Sequence, residues 1–234
     1  MNAPEVASLR EALRALGFDE VRFAAVDAAG TSGDFAAWLA AGHHADMAWL
    51  ERGQAKREDV QQVLPGAQSM IVLGVNYRPA GREAADQQRW AKYALHADYH
   101  ETIKAGLHGA GRVLEARLGL TRDEYKAYVD TGPVLERGWA ARAGVGWQGK
   151  NAMLLSRDHG NWLFLATIVV RAVIPADEPL PRARRADAPA VGLHCGTCTR
   201  CLDACPTAAF PRPGWVDARR CISYHTIENR GVIP

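Results

Sequence analysis

The sequence predicts an α+β or α/β protein in two parts, a mixed-sheet N-terminal domain and a small cysteine-rich module at the C-terminal end. Three observations carry that expectation. Amphipathic helical patterns alternate with short β-branched runs across residues 1–174. Four prolines, several alanines and Arg182, Arg184 and Arg185 replace any apolar period over residues 175–191, which therefore read as a linker. All five cysteines then fall in the third segment, residues 192–234, four of them crowded into residues 195–205.

Taken in order, residues 6–17 carry an amphipathic helix pattern ended by Gly17, and residues 20–26 a short strand. A Gly/Ala/Ser loop and a helix around residues 35–42 follow. Residues 69–77 form a continuous apolar run between Pro65-Gly66 and Pro79, the pattern of a mid-sheet strand buried on both faces. Apolar residues recur at helical spacing over 98–118. Residues 125–130 alternate as a strand, which places Asp130 at its C-terminal end, and residues 134–143 return to helix. Residues 152–156 and 162–171 read as two strands joined by the turn-rich Arg157-Asp-His-Gly-Asn161, which predicts a hairpin.

A chain of 234 residues with 48% apolar content can bury a sizeable core. Twenty-eight basic against 26 acidic residues leave a net charge of +2, too weak a field to point by itself to nucleic acid or to a membrane. The first helix pattern is interrupted by charges, unlike a signal peptide, and no stretch approaches a membrane span. Closely packed cysteines without an export signal imply a reducing compartment, so a cytoplasmic location is expected.

Cys195, Cys198 and Cys201 form Cys-x2-Cys-x2-Cys, followed by Cys205-Pro206. This spacing wraps three thiolates around a cubane while backbone amides face its sulfides. In two-cluster ferredoxins the fourth cysteine of such a run serves the other cluster. Cys221 is available as a further ligand. Zinc sites instead use two separated Cys-x2-Cys pairs, so the run reads as iron–sulfur ligation. Two [4Fe–4S] clusters need eight thiolates and the chain has five, so the second set is incomplete here.

Residues 144–150, Gly-Val-Gly-Trp-Gln-Gly-Lys, fit both a dinucleotide fingerprint and a phosphate loop. Both of those motifs follow a strand and open a helix, whereas this one follows a helix and precedes a strand, and Asn151 stands where a phosphate loop needs Ser or Thr. The glycines read instead as a helix stop followed by close backbone approach to a bulky partner, or as a plain turn. His43 and His44 are adjacent, so they diverge and do not read as a metal pair.

Residues 129–137 (Val-Asp-Thr-Gly-Pro-Val-Leu-Glu-Arg), residues 144–150 and the cysteine module with Asp217 to Glu228 together resemble the epoxyqueuosine reductase family. So do residues 42–50, Arg57 with Asp59, residues 75–77 and residues 93–100. The resemblance implies a cobalamin-binding α/β domain followed by a ferredoxin-like iron–sulfur module, with cobalamin between them and two [4Fe–4S] clusters passing single electrons to cobalt. It implies reduction of the epoxide of epoxyqueuosine in a tRNA anticodon loop, an external electron donor, no membrane partner and a monomer. The family continues past residues 227–234 into a second cysteine motif and helical repeats, so a C-terminal truncation is expected.

By the same resemblance, Asp130 matches the family's proton donor, while its residue context alone also allows an Asx turn or a helix cap before Val134. The cobalamin contacts implied are Arg57, Asp130, Asn151, Leu154, Ser223 and Arg230. Taken alone, Arg57 also reads as a solvated helix charge beside Lys56, Glu58 and Asp59, and Ser223 as a turn residue. Asp98, Tyr99 and His100 match a motif near the substrate pocket, where Asp98 also reads as a helix N-cap. Rival readings are another corrinoid iron–sulfur reductase akin to reductive dehalogenases, a non-catalytic ferredoxin-type electron carrier, and an inactive fragment.

Overall fold

The computed structural model describes residues 1–27, 33–78, 91–185 and 190–233. Residues 28–32 of the Gly/Ala/Ser loop, Pro79 and residues 186–189 of the linker segment lie outside the described residues. The continuous apolar run becomes β2 (Ser69–Asn76), between β1 (Glu20–Ala25) and β6 (Leu163–Val170), with β3 (Tyr125–Tyr128) beyond β6. β1 and β6 pair with its two edges, and packed layers bury both its faces, as the lack of alternation in its sequence requires.

Every described ladder of this sheet is antiparallel: Phe23 pairs with Ile71, Ile71 with Ile168, and Ile168 with Ala127. The mixed sheet of the sequence expectation is thus antiparallel throughout. β2 and β3 run in the same direction, but β6 inserts between them and opposes both.

Strand alternation divides the core in two. Phe23, Ile71, Leu73 and Ile168 meet α1 (Ala3–Arg14) and α5 (Tyr99–Leu118) through Leu9, Leu13, Leu107 and Leu114. Met70, Val72 and Val169 face the other way, onto Trp139 and Ala140 of α6 (Glu136–Arg142) and onto Val60 and Val63. Each such side chain removed from water contributes about 1.5–3 kcal/mol. α1 begins earlier than its apolar period predicts, because Asn2 and Glu5 form a reciprocal capping box with Pro4 in the first turn. α5 is capped by the Asp98 side chain and closed by Gly119 in the left-handed conformation.

The predicted 152–171 hairpin does not form. β5 (Leu154–Ser156) pairs with β4 (Gly146–Gln148) in a separate two-stranded sheet, while both edges of β6 are taken by β2 and β3. Gly146 is what permits this, since a Cβ there would stand 2.1 Å from the Leu155 carbonyl oxygen. The close approach expected of the glycine run is therefore to the chain's own backbone. Short helices complete the order: α2 (Phe35–Ala40), α3 (Ala48–Arg52), α4 (Gln54–Glu58), α7 (Arg200–Asp203) and α8 (Ile222–Ile227). Among the described residues no helix is long and apolar enough to cross a membrane.

Candidate functional site

Asp130 sits two residues past β3 in the left-handed region, at φ 53°. The Thr131 amide donates to the Val129 carbonyl across it, so the carboxylate is carried on a tight three-residue turn, a conformation Asp tolerates better than most residues. It caps no helix, since α6 starts at Glu136 behind Leu135. Its side chain instead meets the first turn of α5. The Tyr99 hydroxyl donates to Asp130 Oδ2, and His100 Nε2 lies 3.7 Å from the same oxygen. Burial first, and Asp130 second, raise the Tyr99 phenol and hold it protonated.

Asp98 does two things at once. It accepts from the His100 backbone N–H at 2.9 Å, which is the cap, and its Oδ1 lies 2.8 Å from His100 Nδ1, which turns the other ring nitrogen toward Asp130. The backbone bond from His100, followed by the bond to its ring, holds Asp98 below the usual carboxylate range. Tyr99 stacks on Phe164 at 4.0 Å between ring centres, and Phe164 on Tyr77 at 4.2 Å, tying the cluster to the ends of β6 and β2.

A second group surrounds the start of α6. Glu136 Oε1 is buried without a hydrogen-bond partner, and burial followed by repulsion from Asp130 pushes its carboxyl up to about 7. Arg137, next in the chain, is exposed to solvent, and desolvation by the surrounding protein lowers its guanidinium. Arg137 donates to the carbonyl of Ala152, itself held at φ 62° in the segment running from Asn151 to Leu154. Arg57 is buried rather than solvated. It lies 5.3 Å from the centre of the Trp49 ring, over Gly53, where any Cβ would collide with it. It also lines a cavity of about 440 Å³ with Asp27, Asp59 and Trp139, which does not include Asp130.

The cysteine module lies against this domain along two seams. On one, Lys150 Nζ donates to the carbonyls of Gly196 at 2.8 Å and Cys198 at 3.0 Å, the Gly192 amide donates to Gln148 O at 2.7 Å, and Trp147 packs edge-on against His194. On the other, Trp38 Nε1 donates to Val216 O at 2.8 Å, the Ala218 amide to His43 O at 2.8 Å, and Tyr224 to Asp46. His43 and His44 diverge, toward Asp217 and Glu51 respectively. Ser223 and Arg230 are exposed, and no contact among the described residues joins them to Arg57, Asp130 or Asn151.

All five cysteines are free thiols. Cys195 and Cys198 share a turn, Gly196 at φ 53° between them, and Cys201 sits on α7. The Ala209 amide donates to Cys205 Sγ at 3.3 Å, and this bond, with help from Thr207, lowers the thiol. Asp217 N–H in turn donates to Ala209 O, drawing the segment that ends in Cys221 alongside Cys205. No three candidate ligands converge on one point among the described residues. A cubane asks for none, because each of its irons takes a single protein thiolate. Sequence reasoning gave no role to Glu136 or Lys150. Both lie inside motifs that carry the family resemblance, Glu136 in residues 129–137 and Lys150 in residues 144–150, where Lys150 also ends the rejected phosphate loop.

Four free thiols at Cys-x2-Cys-x2-Cys-x3-Cys spacing, one of them accepting a backbone amide, define an iron–sulfur protein. A family model described as 4Fe-4S double cluster binding domain matches residues 194–234, and one described as epoxyqueuosine reductase QueG, DUF1730, matches residues 57–131. The epoxyqueuosine reductase of Gloeobacter violaceus is 44% identical over 97% of this chain and 68% of its own length, and that of Vibrio cholerae 37% identical over 94% and 58%. The structure of epoxyqueuosine reductase from Streptococcus thermophilus superposes with a TM-score of 0.76 at 25% identity, covering 100% of this chain and 60% of that one. Another epoxyqueuosine reductase, solved with a tRNA-Tyr epoxyqueuosine-modified stem loop, gives 0.75 at 27%, covering 97% and 58%. The chain belongs to the epoxyqueuosine reductase family. It spans 58–68% of the length of these relatives.

Proposed function

We propose that this chain carries the catalytic part of an enzyme that reduces epoxyqueuosine to queuosine in the anticodon loop of tRNA, with cobalamin and [4Fe–4S] clusters as its redox groups. The observation that carries the reading is the Tyr99–Asp130–His100 cluster, an exposed acid presented on a tight left-handed turn. The residues present fit both groups. Free thiols with an amide-to-sulfur bond suit cluster ligation by Cys195, Cys198, Cys201, Cys205 and Cys221. Trp147 Nε1 and His194 Nε2, buried without partners where the two parts of the chain meet, suit the amide fringe of a corrin. In this reading Arg57, Asn151 and Leu154 would hold the cobalamin from the domain, and Ser223 and Arg230 from the module. When bound, cobalamin supplies reduction at the epoxide, and the clusters supply single electrons drawn from an external donor.

Reducing an epoxide to an alkene takes two electrons and two protons and releases water. Asp130 delivers a proton to the epoxide oxygen as the carbon–oxygen bond breaks, so that a neutral hydroxyl forms in place of an alkoxide. Tyr99, held protonated, occupies Oδ2 and leaves Oδ1 to carry that proton. His100, oriented by Asp98, and the exposed edge of Tyr99 face the entering nucleotide. In the reconstituted holoprotein, Asp130→Asn should retain cobalamin and iron while turnover of an epoxyqueuosine stem loop falls by about 10² or more. Unimpaired turnover with bound cofactors would remove Asp130 from the chemistry.

A further inference from the structure

Lys150 ends the glycine run of residues 144–150, and nothing in the reading above uses it. It is fixed at both ends. Its carbonyl accepts from the Gly214 amide at 2.8 Å, and its stem lies against Gly192, where a Cβ would stand 3.2 Å from Lys150 Cγ. Its half-buried Nζ donates to the carbonyls of Gly196 at 2.8 Å and Cys198 at 3.0 Å. Among the described residues no carboxylate pairs with it, so a whole positive charge rests on two peptide oxygens of the cysteine loop. One of those oxygens belongs to Cys198 itself, and the other to the residue that follows Cys195. Each carbonyl shares a peptide unit with the N–H of the next residue, Thr197 or Thr199, and neither N–H has a protein acceptor among the described residues. A cation on the oxygen of a peptide makes its N–H a stronger donor. Net charge and hydrogen bonds to the sulfurs are two of the quantities that set the potential of an iron–sulfur cluster.

We propose that the Lys150 ammonium, clasped on the Gly196 and Cys198 carbonyls, raises the reduction potential of the cluster held by Cys195, Cys198 and Cys201. This rests on the cluster ligation proposed above. Reduction adds one electron, drawn from the external donor, and no bond within the protein forms or breaks. The reduced cluster carries one more negative charge than the oxidised one, and an unpaired cation on its own ligand loop favours that state. Polarised N–H groups at Thr197 and Thr199 favour it further, as better donors toward the sulfides. Lys150 touches neither substrate nor the reacting atoms. It is a positioning residue that acts through the loop, and it immediately precedes Asn151, so one stretch of backbone joins the cysteine loop to the segment assigned to cobalamin. Loss of this single charge should shift the one-electron equilibrium about tenfold, which corresponds to about 59 mV.

The test is a redox titration of the anaerobically reconstituted protein, followed by electron-paramagnetic resonance. It compares wild type, Lys150→Arg, Lys150→Gln and a protein carrying acetyl-lysine at position 150. The last two lack the charge, and acetyl-lysine keeps the stem and one N–H donor. At equal iron and sulfide content, both neutral forms should reduce about tenfold less readily than wild type, a midpoint about 59 mV lower. Lys150→Arg, which keeps the charge, should stay within about twofold of wild type. A clasp that only holds the loop in place would change iron content or amide exchange and leave the midpoint where it is. Midpoints that agree across all four proteins at equal iron content overturn the role of the charge. So does a shift confined to one neutral form or shared by Lys150→Arg, which would trace to altered geometry. If neither neutral form takes up iron, Lys150 serves assembly of the site and the claim about potential falls. A wild type that takes up no cluster overturns the ligation reading, and the role of Lys150 with it.

Discussion

The four-stranded sheet and the cysteine module are held together by different forces. In the sheet, both faces are covered by helices, and Phe23, Ile71 and Ile168 are fully buried. In the module, apolar burial among the described residues comes to Leu193, Ala209, Ala218 and Tyr224, and the attachments are mostly polar, from Lys150, His43, Trp38 and Asp46. A segment with so little core does not outweigh its own chain entropy by burial, whereas ligation of a metal group contributes folding free energy directly. The first region is therefore a scaffold that folds on hydrophobicity. The second takes its order from thiolate ligation and from its seams with the first.

Three perturbations sharpen or break that contrast. Phe23→Ala, which opens a cavity at 0% exposure between β1 and the α1–α5 layer, should cost about 3–5 kcal/mol of global stability in denaturant melts. A loss below about 1 kcal/mol would mean the sheet face is less tightly packed than its burial implies. Stripping iron with a chelator from the reconstituted protein should release amide protection across Cys195–Cys221 while the amides of β2 and β6 stay protected in hydrogen exchange. Simultaneous loss in β2 would show one cooperative unit in place of two. The smallest effect is expected for Lys150→Met, which removes two bonds to the Gly196 and Cys198 carbonyls at a partly exposed seam. It should lower the module's opening free energy by about 1 kcal/mol and leave the sheet untouched.

Much of the scaffold was readable because its signals are local. The apolar run of β2 and the helical period of α5 each report the burial of their own segment, and Asp98 and Gly119 mark the ends of α5 by side-chain and backbone chemistry that needs no distant partner. The 152–171 hairpin failed for the opposite reason. Sequence proximity favours pairing β5 with β6, but β6 has better-buried neighbours on both edges, and Gly146 gives β5 another partner. Arg57 shows the same limit, since among charged neighbours nothing local distinguishes a buried guanidinium over Trp49 from a solvated one.

The sequence by itself determined the order of helices and strands, the thiol-rich loop and the ligand class that its spacing admits, because period and spacing are properties of a single stretch of chain. Only the tertiary structure decided that Tyr99 meets Asp130 across 31 positions, that one oxygen of Glu136 is sealed from solvent, and that Lys150 clasps the cysteine loop 46 residues away. Those are outcomes of strand pairing and burial. They shift the protonation of single groups and join residues that no local pattern connects.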